Sequence, residues 1–343
     1  MQSKRRPTLR DVAERAGVSV QTVSNFLTGR HVTRSGPRER IERAILELGY
    51  RPNATARSLR SRQAGAIGLV LEDPNALGLH EYLHMEFLNG AAAAAHDSGK
   101  NLLVTLSRPD ETMPLAIRLA REGRVDGLAL SLGDATTVAS EMRELAAGGL
   151  PIVLLQQSSG VAGVATITAQ DEVGAAMAMT YLVMQGHRHV AWLCGEELWP
   201  GPARRYGGIH DAATAAGIQL SEWTCETYTV HAARAAVARE LASDRSRPTA
   251  VVAANDMIAL GVVQQALDQG LRVPQDLSVV GFNDFDFSEW VRPSLTTVRI
   301  PAAAMGRRAV EVLIEAQAGS IPDVPVFPAE LVVRESSGPA PPE

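Results

Sequence analysis

The chain has 343 residues, enough for two or three domains at roughly 100–200 residues each. Its 45% hydrophobic and 21% charged residues exclude a disordered chain, and its two cysteines, Cys194 and Cys225, exclude a disulfide scaffold or a cysteine zinc finger. The net charge of -5 is unevenly spread: residues 1–62 carry 14 Lys and Arg against 5 Asp and Glu, and the remainder carries 19 against 33.

Thr8-Leu9-Arg10-Asp11 reads as a capping box. Leu9, Val12, Ala13 and Ala16 follow at the spacing of one helix face, and Gly17 can end that helix. Ser19 can cap a second helix with Val23, Phe26 and Leu27 inward and Val20, Gln21, Ser24 and Asn25 outward. A third helix buries Ile41, Ala44, Ile45 and Leu48 and stops at Gly49. A helix, a tight turn, a helix and a supporting helix make a helix-turn-helix, whose second helix enters the major groove. Gln21 and Asn25, one turn apart, can each pair with a base edge, and Val20 can pack on a thymine methyl. Ser19, Thr22 and Ser24 can reach phosphates. A plain three-helix bundle shares the pattern; the strong positive charge of the segment favours a polyanion as its partner.

These blocks, with Gly49-Tyr50-Arg51-Pro52-Asn53, closely resemble the headpiece of the lactose-repressor (LacI/GalR) family of transcription factors. The resemblance implies base contacts from Val20, Gln21 and Asn25, and backbone contacts from Ser19, Thr22, Ser24, His31 and Thr33. Next, Pro52 stops the preceding helix and Asn53 can cap the short run Ala54 to Arg60, which is too short to be a stable helix alone. The family uses this position as a hinge helix that pairs with its twofold mate in the minor groove. Leu59 matches the wedging leucine, and Ala56 lies one turn earlier on the same face.

From residue 64 the pattern alternates short apolar strands with helical stretches. Strands are expected at 66–71, 101–106, 127–131, 152–155, 164–167, 189–193, 250–253, 278–282, 296–299 and 330–334, with helices such as 85–98 and 173–185 between them. Such alternation predicts parallel sheets covered by helices on both faces. Asp171 with Gly174, Gly186-His187-Arg188-His189, Ala254-Asn255-Asp256, Gly281-Phe282-Asn283-Asp284 and Leu295-Thr296-Thr297-Val298 extend the family resemblance to about residue 336. The implied fold is an all-α helix-turn-helix headpiece (1–50), a hinge helix (51–62) and an α/β body (63–336). That body resembles a periplasmic binding protein, with two doubly wound parallel-sheet subdomains. They would comprise about 63–162 plus 293–322, and 163–292 plus 323–336, leaving 337–343 as a tail.

Ligands of open α/β sheets sit outside the carboxyl ends of the strands. Strand ends and the resemblance together nominate Asp73, Gln156, Arg205, Asn255 and Asn283 for an effector cleft, with Trp199, Phe285 and Trp290 as apolar or stacking walls. Many sugar-responsive relatives carry an acidic residue where Gln156 and Asn283 stand. A sugar or polyol is the favoured effector, with nucleosides, small acids or no ligand as alternatives.

His80-Glu81-Tyr82-Leu83-His84 fits H-E-x-x-H, a zinc-protease spacing, but has no convincing third ligand. An effector contact or plain helix surface is the preferred reading there. His187 and His189 are read as structural, and Cys194 as buried and inert. No apolar run reaches the roughly 18 residues of a membrane span, and no signal-peptide core follows the basic start. The expectation is a cytoplasmic repressor with no enzymatic activity, cofactor, metal or membrane partner. It would bind double-stranded, pseudopalindromic operator DNA as a homodimer under allosteric control by a small effector. The family's tetramers append a leucine heptad, which the closing Gly-Pro-Ala-Pro-Pro-Glu lacks.

Overall fold

The computed structural model describes residues 7–27, 35–50, 63–73, 82–196, 199–242, 247–317, 319, 322–324 and 326–342. Contacts divide the chain into two units, Met1–Ala64 and Gly65–Glu343. In the first unit, α1 (Leu9–Ala16), α2 (Val20–Leu27) and α3 (Ser35–Leu48) enclose a small core of Val12, Ala13, Ala16, Val23, Ile41 and Ala44. The capping box forms: Thr8 N donates to Asp11 Oδ2 at 2.6 Å, and Asp11 N donates to Thr8 Oγ1 at 3.4 Å. Gly17, at φ 63°, turns the chain left-handed between α1 and α2, a conformation an L side chain resists. Arg40 Nε donates to the Ala16 carbonyl at 3.0 Å, satisfying the C-terminus of α1 from α3. The expected hinge helix at 51–62 lies outside the described residues.

The second unit holds two sheets. The first comprises β1 (Ala66–Glu72), β2 (Asn101–Ser107), β3 (Leu128–Ser131), β4 (Ile152–Leu155) and β5 (Val164–Ile167), all parallel in the order β2-β1-β3-β4-β5. Its crossovers carry α4 (Tyr82–Asp97), α5 (Pro109–Arg121) and α6 (Ala139–Ala147). The second sheet comprises β6 (His189–Gly195), β7 (Gln219–Cys225), β8 (Ala250–Ala253), β9 (Ser278–Asn283), β10 (Thr296–Arg299) and β11 (Glu330–Val332). Its order is β11-β10-β9-β8-β6-β7, parallel except for β11. Helices α7 (Asp171–Met184), α8 (Pro200–Ala216), α9 (Val230–Leu241), α10 (Asp256–Asp268) and the short α11 (Phe287–Trp290) belong to it. The last helix, α12 (Ala302–Ala316), packs on α4 behind the first sheet.

Central strands β3, β4 and β8 are buried at every residue because helices cover both faces, so they read in sequence as unbroken apolar runs. β7 escaped the sequence reading for the opposite reason. It is an edge strand that turns Trp223 and Cys225 inward and exposes Glu222 and Thr224, so it has no apolar run.

The sheets differ from the expected subdomain boundaries at two strands. Val164–Ile167 pairs with Ile152–Leu155 in the first sheet rather than joining the second. Thr296–Arg299 pairs with Ser278–Asn283 in the second sheet rather than joining the first. Each stands directly before a crossing, and both sheets demand the same apolar strand, so composition does not say which sheet a strand joins. Three passages connect the sheets: 168–170, 300–301 and the stretch through Phe327. Phe327 N donates to the Thr168 carbonyl and Gln170 N donates to the Phe327 carbonyl, each at 2.9 Å.

The expected tail at 337–343 is likewise docked as far as Ala340. Gly338 N donates to Ser278 Oγ at 3.1 Å, and Ala340 N donates to the Gln185 carbonyl at 2.9 Å. His187 has the structural role expected of it, with Nε2 3.1 Å from the Gly338 carbonyl and Nδ1 2.8 Å from Thr249 Oγ1.

Candidate functional site

The outward face of α2 carries Val20, 40% exposed, with Gln21 beside it. Gln21 Nε2 donates to Asn25 Oδ1 at 2.8 Å, so the two amides are held in register on one turn before any base is met. Ser19 caps the helix: its Oγ accepts from Thr22 N at 3.1 Å and shares a 2.8 Å bond with Thr22 Oγ1. Ser24 is half-buried. The remaining expected DNA contacts, His31, Thr33, Ala56 and Leu59, lie outside the described residues.

The second unit contains a cleft where the carboxyl ends of its two sheets meet, as expected for open α/β folds. β1 delivers Glu72 and Asp73, β3 delivers Ser131 and Leu132, β4 delivers Gln156, and the first turn of α4 adds Leu83 and His84. From the second sheet come Trp199 to Pro202, Arg205, Tyr228, Ala254, Asn255 and Asn283. The space is about 730 Å³ counting its open mouth.

Arg205 is buried at its floor. Nε donates to Asp171 Oδ1 at 2.9 Å, Nη1 to the Ala254 carbonyl at 2.7 Å and Nη2 to Asn283 Oδ1 at 3.1 Å. The guanidinium carbon lies 3.8 Å above the centroid of the Phe282 ring. Asp171, wholly buried at the start of α7, also pairs with Arg204 Nη2 at 2.6 Å. Two cations sharing one carboxylate, with hydrogen bonds on each side, offset the desolvation of a buried charge. The sequence reading placed Arg205 in the cleft, whereas it quoted Asp171 only as part of a family block and did not name Arg204. The adjacent arginine pair was the available signal.

Backbone geometry marks the same place. Gln156 (φ 71°), Asn283 (φ 107°) and Asp284 (φ 58°) are the non-glycine residues in positive φ among the described residues, and all stand at strand ends around the cleft. Such conformations cost about 1–3 kcal/mol each and persist where the surroundings impose them. Gln156 is held by its N–H, which donates to the Ile167 carbonyl at 2.8 Å. Its Oε1 accepts from Arg204 Nη2 at 3.4 Å, whereas Nε2 is buried without a partner among the described residues. Asn255 caps α10, accepting from Ile258 N at 2.9 Å. Asp256 beneath it is fully buried, accepting from Phe285 N at 2.9 Å and from the Thr297 hydroxyl; burial pushes its carboxyl up to about 7.

Asp73, Gln156, Trp199, Arg205, Asn255 and Asn283 are thus brought together as the sequence suggested. Phe285 and Trp290 are not. Phe285 turns inward, 5.3 Å from the Tyr82 ring and 5.9 Å from Phe287, and Trp290 is 69% exposed on α11. Strand-end position fixed where these residues sit but not which way they point. Glu72 and Tyr228 line the cleft without having been nominated, and His84 lines it as the first of the two readings of its run allowed. Glu72 was hidden as the last residue of an apolar strand. It accepts from Gly133 N at 2.8 Å. His84 belongs to the H-E-x-x-H run, of which His80 and Glu81 lie outside the described residues. It is buried, and burial pushes its imidazole down to about 4 against the opposing pull of Asp73. Cys194 is buried as expected, 3.4 Å from the Tyr228 hydroxyl, and burial raises its thiol.

The description of bacterial regulatory proteins of the lacI family matches residues 8–53, and that of a periplasmic binding protein-like domain matches residues 179–337. The chain is 31% identical over 333 residues to the HTH-type transcriptional repressor PurR of Vibrio vulnificus strain CMCP6, covering 96% of this chain and 98% of that one. It is 31% identical over 310 residues to the ribose operon repressor of Haemophilus influenzae, covering 90% and 91%. The crystal structure of the lac repressor dimer bound to operator and the anti-inducer ONPF superposes with a TM-score of 0.85 at 27% identity, over 97% of this chain and all of that one. A helix-turn-helix headpiece on a periplasmic-binding-protein-like body is the make-up of a DNA-binding transcriptional regulator, and the named relatives are repressors, not enzymes. The chain belongs to the lacI family of bacterial regulatory proteins. No helix among the described residues is long and apolar enough to cross a membrane.

Proposed function

We propose that this protein is a cytoplasmic repressor that grips a pseudopalindromic operator as a homodimer and releases or tightens that grip when a sugar or polyol enters the cleft. The observation that carries the reading is the cleft itself. Strained, polar strand ends from both sheets converge around a preset arginine, in a chain whose other unit presents a paired Gln21 and Asn25 on an exposed helix. A twofold dimer matches a twofold site, and the solved relative is a dimer on its operator. A relative named for the ribose operon favours a sugar.

In this mechanism α2 reads base edges through Val20, Gln21 and Asn25, while Ser19, Thr22, Ser24, His31 and Thr33 lie along the backbone. Leu59, with Ala56 behind it, wedges the minor groove. The effector bonds Asp73, Gln156, Arg205, Asn255 and Asn283 and packs on Trp199. It shifts the two sheets' relative angle only by its differential affinity for the two states. A typical coupling is about 1–3 kcal/mol, or roughly 5–150-fold in operator affinity.

The test is selection of genomic fragments by the purified protein, followed by sequencing. The expected result is a discrete twofold site of roughly 14–20 base pairs, two half-sites each about one helical turn apart. Sequence-blind retention that collapses with modest salt would mean that the headpiece only grips phosphates, and the repressor reading would fall.

A further inference from the structure

Gly65 is the first residue of the second unit, where the expected hinge segment enters the body. It stands at φ 69°, and glycine has more backbone freedom to lose than any other residue. Both its backbone polar groups are nevertheless tied. Its N–H donates to Asp126 Oδ2 at 2.9 Å, and its carbonyl accepts from Asn101 N at 2.9 Å. Asp126 N in turn donates to the Ala66 carbonyl at 2.7 Å, so one aspartate holds two successive residues.

The same carboxylate oxygen takes Lys100 Nζ at 2.9 Å, with the lysine side chain 17% exposed and the aspartate 7%. Lys100 Nζ also donates to Gln317 Oε1 at 3.4 Å, and Gln317 Nε2 donates to the Asp126 carbonyl at 3.4 Å. Lys4 and Lys100 are the two lysines of a chain that otherwise uses arginine. A compact ammonium can divide its three donors between a carboxylate and an amide. Because the pair is largely shielded from water, losing either partner strands the other, unlike a surface ion pair. Gln317 directly follows α12, which begins after the 300–301 passage and leads on to the one through Phe327. The cluster therefore joins the entry of the hinge to the helix strung between two of the three connections to the second sheet.

We propose that Lys100, Asp126 and Gln317 form a clamp on the root of the hinge, and that Lys100 and Asp126 are positioning residues for operator recognition. With Gly65 held, a hinge that orders on DNA starts from a fixed point. With Gly65 loose, ordering it becomes part of the cost of binding. Phosphate contacts made by the headpiece alone need no ordered hinge, so binding to unrelated DNA does not depend on the clamp. This rests on the repressor reading above and adds to it the residues that fix where the hinge begins.

The experiment is DNA titration of the full-length protein, with the operator duplex recovered by fragment selection and with an unrelated duplex of equal length. Lys100→Met and Asp126→Asn should each weaken operator binding by about 5- to 30-fold, the cost of ordering one freed backbone residue. Binding to the unrelated duplex should stay within about twofold of wild type. A second measurement uses wild-type protein labelled with ¹³C-lysine, whose two side-chain signals are assigned with Lys4→Arg. The Lys100 signal should move on saturation with the operator and stay in place with the unrelated duplex, a readout that does not depend on how either variant folds. Wild-type operator affinity in either variant, equal losses on both duplexes, or a Lys100 signal that ignores the operator or follows both duplexes alike would each overturn the proposal. With a discrete site in hand, any of these leaves the repressor reading standing. If selection recovers no discrete site, the repressor reading itself falls and takes the clamp with it.

Discussion

Arg205 meets Asp171, Ala254 and Asn283 before any ligand arrives, so its removal has two consequences. Arg205→Ala should abolish the effector's influence on operator affinity, measured by DNA titration with and without ligand. It should also lower stability in urea by about 3 kcal/mol, the low end for a broken buried pair because Arg204 still faces Asp171. Titration gives a second prediction. His84 is held neutral down to about 4 in the folded chain, while the unfolded chain takes the proton near its ordinary 6.5. Its contribution is therefore lost as pH falls from about 6.5 toward 4, with a slope of at most about 1.4 kcal/mol per pH unit. Asp256 has the opposite sign. Its folded carboxyl is raised to about 7, so stability drains as pH rises from its unfolded value through that window. The two slopes oppose each other in the overlap. The His84→Leu protein should gain stability relative to wild type as pH falls below 6.5, in urea titrations at pH 4.5, 5.5 and 6.5. A constant difference across that range would remove His84 from the acid response. At this scale the polar strand-end residues were legible, because a parallel sheet sends whatever follows an apolar run to the cleft. Phe285 was not, since its ring could turn to Tyr82 instead.

Helix pairs are where this chain is least forgiving. α4 and α12 cross so closely that a Cβ at Gly90 would enter the Ala303 carbonyl, and one at Gly306 would enter the Phe87 carbonyl. Backbone, unlike a side-chain tip, cannot rotate away. Gly306→Ala should force the helices apart and cost about 1–3 kcal/mol or more, read as a lower midpoint in urea. An unchanged midpoint would mean that α12 slides without penalty. α7 and α8 repeat the device, with Gly208 against the Glu172 backbone. These contacts were not legible, since a glycine inside a helix announces a close neighbour without naming it. Strands were legible where helices bury both faces, as at Ile152–Leu155, and illegible at the half-exposed edge Gln219–Cys225. Subdomain membership of Val164–Ile167 and Thr296–Arg299 depends on which way the chain turns after each strand, and composition carries no record of that.

For the whole molecule, the two units call for separate tests. Gln21→Ala should relax base preference at one position of each half-site, by about 1–3 kcal/mol, in a randomised-operator selection. It would also free Asn25 from the 2.8 Å bond that aligns it. Leu59→Ala should weaken operator binding far more than binding to unrelated DNA, because a wedge acts only where the duplex can be kinked. Equal losses on both would exclude a wedge. The passages between the sheets set how the body can respond. Phe327 bonds to Thr168 on one side and Gln170 on the other, so the first and third passages form one two-ply ribbon, with 300–301 as a separate single ply. A turn of one sheet against the other must therefore bend the first and third passages together, as one laminated spring, so that a small molecule in the cleft works against a shared support rather than two independent ones.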